Sequence, residues 1–250
     1  MRLLLAGIDT PIAKQFIKDY KFKYGMVALD PSKADFSRYE PIKDVFTSYR
    51  FDGVIYFASG HGKELSLFKN LQYACLMFGI KKMLTVIIAD PGAVYDPLIT
   101  VGEHELFDSL VPALILKDKI GTALRFYEVC GKGEKDSVVA KMVMQAKKKG
   151  RIDIEQNKQI ALLHVTDAAK VLDAFVSTPT EKGVYDAAAP TAVTLAKIAE
   201  TVKKSIGGIE IKIQDRTLAD TPEIDTAPLI EQLGKKFKFT NLTKVIEEML

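Results

Sequence analysis

The stretch Leu3–Phe16, "LLLAGIDTPIAKQF", has the residue types and the order needed to hold a phosphate. Leu3 to Ala6 form a short apolar strand, Gly7 follows, and an apolar-periodic helix starts at Pro11. Backbone N–H groups at such a helix start face a pyrophosphate, and absent side chains let it approach. Gly7 supplies the tight turn. In a Gly-x-x-Gly-x-x-Gly spacing the second and third glycine positions are Thr10 and Ala13. Ala13 keeps the small residue that helix–strand packing needs. Thr10 puts a branched side chain where phosphate oxygens would come closest, Pro11 removes a backbone donor, and Asp9 adds negative charge. The same residues make a well-capped helix start that binds nothing, with Thr10 as N-cap and Pro11 as first helical residue. Gly7, Thr10 and Ile12 are the cofactor contacts the turn offers. Both readings stand on the sequence.

Asp30 and Asp35 add to the first reading. Asp30 ends the second strand, where an acidic side chain holds ribose hydroxyls and favours NAD over NADP. Asp35, in "ADFSRY", is placed to reach an adenine. Ala58 and Ser59 open the Gly-rich "ASGHGK" after the strand "VIYF", at the sheet edge where α/β ligands bind. The plainer reading of the aspartates is loop capping, and that of the Gly-rich stretch is loop flexibility. Neither the histidines (His61, His104, His164) nor the cysteines and carboxylates show the spacing of a metal site. Cys75 and Cys130 lie in apolar settings and read as buried thiols.

The elements that would position these residues alternate along the chain. Strands are predicted at Leu3–Ala6, Met26–Leu29, Val54–Phe57, Leu84–Ile88 and Ala123–Val129. Helices are predicted at Pro11–Tyr20, Pro41–Tyr49, Leu65–Phe78 and Glu103–Lys117. Continuous apolar strands separated by helices mean a parallel sheet covered on both faces. The fold class is α/β, a doubly wound, Rossmann-like parallel sheet with a small C-terminal α+β annex. Residues 1–133 read as the core and 134–250 as the annex, with segments near 160–190 returning to the core. In the annex, Ser137–Lys149, Thr166–Val176, Thr194–Ser205 and Leu242–Leu250 read as helices. "RIDIEQNKQIALLHV", Val184–Ala188 and Ile209–Ile213 read as extended.

The chain has 250 residues and a net charge of +3, with its densest lysine runs at predicted helix ends. That balance points to no nucleic-acid partner. No apolar segment is long enough to span a membrane, and the expected location is cytoplasmic.

Taken in order, "LLLAGIDTPIA", "VALD", "FDGVIYFAS", "NLQYACLMFGIKKML", "LRFYEVCGKG", "LLHVTDAAKVLDAFV" and "GVYDAAAPTAVTLAKIAETV" resemble the extended short-chain dehydrogenase/reductase family. The nearest branches are the NAD-dependent epimerase/dehydratases and dTDP-4-dehydrorhamnose reductases. The resemblance implies NAD as cofactor, a nucleotide-sugar-like small-molecule ligand, and a homodimer through the helices near 65–78 and 103–117. It also implies a Tyr and a Lys four residues apart, with a nearby Ser or Thr, for proton transfer beside the nicotinamide. The sequence departs from the family here. Counting back from "ALRFYEV" places the pair on Thr100 and His104, or on Ile99 and Glu103, and the hydroxyl position within "VIIAD". Tyr39–Lys43 has the spacing, but it falls too early and Pro41 interrupts it. Two functions follow, beside a third reading, supported by Thr10 and Pro11 together, in which the chain is a scaffold that binds no ligand. One is a non-catalytic or atypical binding and regulatory protein on an NAD(P)-binding scaffold. The other is an active NAD-dependent epimerase or reductase in which His104 replaces the missing acid/base group.

Overall fold

The structure, a computed structural model, describes residues 1–58, 64–88, 111–117, 121–219 and 224–250. The described residues fall into two compact units.

The first unit contains residues 1–88 as described, the segments 111–117 and 121–125, and Ala169–Tyr185. Its sheet starts from β1 (Arg2–Ala6), β2 (Gly25–Ala28), β3 (Gly53–Phe57) and β4 (Met83–Ile88). Leu3 pairs with Met26 on one side and Gly53 on the other, and Val54 pairs with Met83, all in parallel register. With β5 (Thr122–Phe126) and β9 (Val184–Ala187) the six-stranded order is β2-β1-β3-β4-β5-β9. Chain direction across the sheet therefore reverses between β1 and β3. All five residues of β3 and the last four of β1 are buried, which is why both segments read as unbroken apolar runs rather than alternating ones.

The first helices of this unit are α1 (Pro11–Tyr20), α2 (Tyr39–Ser48) and α3 (Glu64–Met77). On α1, Ile12, Ala13 and Phe16 are buried, and the Phe16 ring lies 6.5 Å from that of Phe57 on β3. Tyr39 opens α2 and packs edge-on against Tyr73 of α3 at 4.9 Å, so its ring serves packing. On α3, Phe68, Leu71 and Cys75 enter the core, whereas Tyr73, Leu76 and Met77 stay exposed. Residues 111–117 are helical, and the rest of the predicted Glu103–Lys117 helix lies outside the described residues.

The second unit contains Phe126–Ala168 and the described part of Asp186–Leu250. Its sheet is built on β7 (Arg151–Ile160), flanked by β10 (Val193–Thr194) and β11 (Glu210–Ala219) in the order β10-β7-β11. A separate parallel pair joins β6 (Glu128–Cys130) to β8 (Leu162–His164). Helices α4 (Val138–Lys149), α6 (Leu195–Ile206) and α8 (Leu242–Met249) cover the core with Val143, Ile198, Val202 and Ile246. Each starts on a side-chain cap: Ser137, Thr194 and Asn241 accept from the backbone N–H three residues on. Helix α5 (Val165–Ser177) follows β8 and from Ala169 onward belongs to the first unit, and in the second unit a short α7 (Ala227–Leu233) precedes the last helix.

The annex departs from the sequence expectation in two places. Strand β11 runs to Ala219 rather than ending at Ile213, because it pairs with β7 over that length through an irregularity after Asp215. The α7 segment was not expected as a helix; of its seven residues only Leu229 is buried, too little apolar periodicity to stand out. His164 has a structural setting. It is 3% exposed, with Nε2 3.0 Å from Glu248 Oε2 and Nδ1 2.6 Å from Thr166 Oγ1.

Candidate functional site

In a doubly wound sheet the ligand crevice opens at the carboxyl ends of the strands where the chain direction switches. Between β1 and β3 that point is occupied by a cavity of about 440 Å³. Ala6 and Gly7 reach it from the end of β1, Leu29 and Pro31 from the end of β2, and Tyr56 from β3. Asp35 and Phe36 line it from the loop before α2, and Glu64 and Leu67 from the first turns of α3. The volume lies at the small end of the range for ligand pockets.

Gly7 is fixed by the backbone. Its φ is +73°, and a Cβ built there would stand 1.9 Å from the Phe57 carbonyl oxygen. The glycine is therefore required for β1 and β3 to lie side by side, whatever the cavity holds.

The start of α1 is internally capped. Thr10 has extended backbone (φ −68°, ψ 149°), and its Oγ1 accepts from the Ala13 N–H at 3.3 Å. The Lys14 N–H donates to the Thr10 carbonyl at 3.0 Å. Ile12 is buried in the core, so only its backbone faces the turn.

The two aspartates share one local device. Each is followed two residues later by a serine whose N–H and hydroxyl both donate to the aspartate Oδ1. The distances are 3.0 and 2.6 Å for Asp30–Ser32, and 3.1 and 2.6 Å for Asp35–Ser37. Ser32's bonds, with Lys33 Nζ 3.5 Å from Oδ2, hold the Asp30 carboxyl below its ordinary value. Asp35 lines the cavity; Asp30 does not, although its neighbours Leu29 and Pro31 do.

Tyr56 and Glu64 are the cavity residues that sequence reasoning did not select. Both are buried. Desolvation, with the Glu64 carboxylate beside it, pushes the Tyr56 phenol above its ordinary value. Tyr56 read as one more apolar position in "VIYF", and only the β1–β3 pairing brings it to the cavity.

Of the residues selected from sequence, the cavity thus gathers Gly7 and Asp35. Thr10 and Ile12 sit at the adjacent helix start, and Asp30 sits just outside the lining. Ala58 is buried and its N–H donates to the Val86 carbonyl at 2.9 Å, within the sheet. Ser59, Thr100 and His104 lie outside the described residues, as do His61, Ile99 and Glu103.

A doubly wound sheet with its cavity at the switch point is the arrangement of the dinucleotide-binding α/β proteins. No protein-family model matches the sequence, and no curated protein matches it. Solved structures do match, across essentially the whole chain. The UDP-N-acetylglucosamine 4-epimerase of Bacillus cereus superposes with a TM-score of 0.77 at 16% identity, covering 100% of this chain and 98% of that one. The GDP-L-fucose synthetase of Naegleria fowleri bound to NADP gives 0.75 at 15%, covering 99% and 91%. The dTDP-glucose 4,6-dehydratase of Bacillus anthracis in complex with NAD gives 0.75 at 13%, covering 100% and 95%. The chain has the fold of these extended short-chain dehydrogenase/reductase proteins, as its ordered segments suggested.

Proposed function

We propose that the cavity is the site for the adenosine end of a nicotinamide dinucleotide, NAD in preference to NADP. We further propose that the chain is an atypical, non-catalytic binding or regulatory relative of the nucleotide-sugar epimerases, dehydratases and reductases. The observation that carries this reading is the cavity itself, which joins Gly7, Asp35 and Phe36 at the switch point of the sheet. An adenine lies against Phe36 and the flanking aliphatic side chains, and the Asp35 carboxylate accepts from the base amine or a ribose hydroxyl. A second phosphate on the ribose would meet the same carboxylate, which favours NAD. The only Tyr and Lys at the family spacing, Tyr39 and Lys43, fall far too early in the chain, and the expected position carries Thr100 and His104 instead, which supports binding without the usual proton transfer. The capped start of α1 fits the adenosine end better than the pyrophosphate.

A thermal-shift titration with NAD, NADH, NADP and NADPH tests the reading. Ligand at about 100 times its Kd stabilises by about 2.7 kcal/mol. For a chain of this length that is a rise on the order of 5–10 °C. NAD and NADH are expected to give it and NADP to give less. Flat curves with all four at millimolar concentration would end the proposal.

A further inference from the structure

The strands of the first unit begin at the sheet edge opposite the cavity. β2, β1, β3 and β4 are neighbours and run parallel, so the segments leading into them share that edge. Phe22, in the turn before β2, is 93% exposed there. The turn holds it outward. Tyr20 and Tyr24 on either side pack onto the Phe16 ring, at 5.2 and 6.1 Å. The Lys23 and Tyr24 N–H groups both donate to the Tyr20 carbonyl, at 2.9 and 3.1 Å, which leaves Phe22 at the tip. Tyr49, before β3, adds a second ring that is 46% exposed.

Cations surround these rings. Lys21 Nζ stands 5.0 Å from the centre of the Phe22 ring, and the Arg2 guanidinium 6.0 Å from that of Tyr49. Lys18, Arg50 and Lys81 are exposed on the same edge. Its carboxylates are engaged locally. Asp19 accepts from Gln15 Nε2 at 2.7 Å, Asp52 from the Arg2 N–H at 2.6 Å, and Asp173 from Lys23 and Tyr24. Among the described residues, Lys18, Lys21, Arg50 and Lys81 form no ion pair with a carboxylate.

An aromatic tip amid cations is the chemistry of an interfacial anchor. The ring enters the boundary of the acyl chains, and the ammonium and guanidinium groups meet lipid phosphates. A projecting tip suits a surface that yields to it, whereas a protein partner would need a pocket shaped to receive it.

We propose that this edge, with Phe22 at its tip, docks the protein peripherally on an anionic lipid surface. The cavity, at the opposite edge of the sheet, then faces away from the lipid. The inference does not depend on what the cavity holds.

Sedimentation with vesicles of phosphatidylcholine alone, and of phosphatidylcholine with about 30% phosphatidylserine, tests it. The protein is expected to sediment with the anionic vesicles and to be released as salt rises from about 0.05 to 0.5 M. Phe22→Ser should weaken that binding by about fivefold or more, and the K21E/R50E double variant by about tenfold or more. These side chains are exposed, and circular dichroism checks that the variants stay folded. The chain has no tryptophan, so Phe22→Trp reports on this one position. Its emission should shift to the blue when anionic vesicles are added. No sedimentation, or equal sedimentation with both vesicles, overturns the inference. So does Phe22→Trp emission that stays that of an indole in water while the protein is bound. Binding that Phe22→Ser leaves unchanged also overturns it, and would mark the edge as a site for a soluble polyanion.

Discussion

Gly7→Ala is expected to destabilise the chain by more than about 3 kcal/mol, a large share of the roughly 5–15 kcal/mol that holds a domain folded. Two independent costs add. A left-handed backbone costs an L-residue about 1–2 kcal/mol before any contact is considered. The new Cβ would also lie 1.9 Å from the Phe57 carbonyl oxygen. That atom belongs to the β3 backbone, so no rotamer change relieves the overlap. Either β1 and β3 separate, breaking a ladder that runs from Leu3–Gly53 to Ala6–Tyr56, or the turn is remade. Urea unfolding monitored by circular dichroism reads the loss. A change under about 1 kcal/mol would mean that the turn tolerates a side chain. The effect needs no ligand, so lost binding in this variant alone is no proof of a phosphate contact.

Lys82→Met is expected to cost about 1–3 kcal/mol, through loss of three charge-assisted bonds, two of them part-buried. Lys82 immediately precedes β4. Its Nζ donates to three carbonyl oxygens, those of Phe175 at 3.0 Å, Val176 at 2.6 Å and Thr178 at 2.8 Å. These groups lie at the carboxyl end of α5, where helix carbonyls lack partners within the helix and the dipole favours a cation. Methionine keeps the length and packing of the stem while removing the charge and all three donors. Lys82→Arg, which keeps both, should recover part of the loss. Equal stability of the natural and Met chains in urea would show that water replaces the ammonium at no cost.

The fold was legible where burial imposes a pattern. β1, β3 and β4 are covered on both faces, so their sequences carry apolar runs, broken in β4 only by the buried Thr85. The Thr10–Pro11 pair marked the start of α1 because a capping oxygen and a residue without an N–H suit only that position. The end of β11 was hidden, since residues after Ile213 are mostly exposed and are kept extended by β7 rather than by their own pattern.

At the site, local spacing reached Gly7 and Asp35 but did not rank the two aspartates. Asp30 and Asp35 are each followed by the same serine device. Which one lines the cavity depends on the path of the loop between β2 and α2. Tyr56 and Glu64 were out of reach for a different reason. Their place follows from the pairing of β3 with β1 and the start of α3, contacts that no spacing within one segment encodes.

The central claim is that the adenosine end of a dinucleotide occupies the cavity at the ends of β1, β2 and β3. A crystal structure of the protein grown with NAD tests it most directly. The predicted result is adenine and ribose density against Phe36 and Asp35, within hydrogen-bond distance of the Asp35 carboxylate. NAD bound elsewhere on the chain, with this cavity holding only solvent, would contradict it.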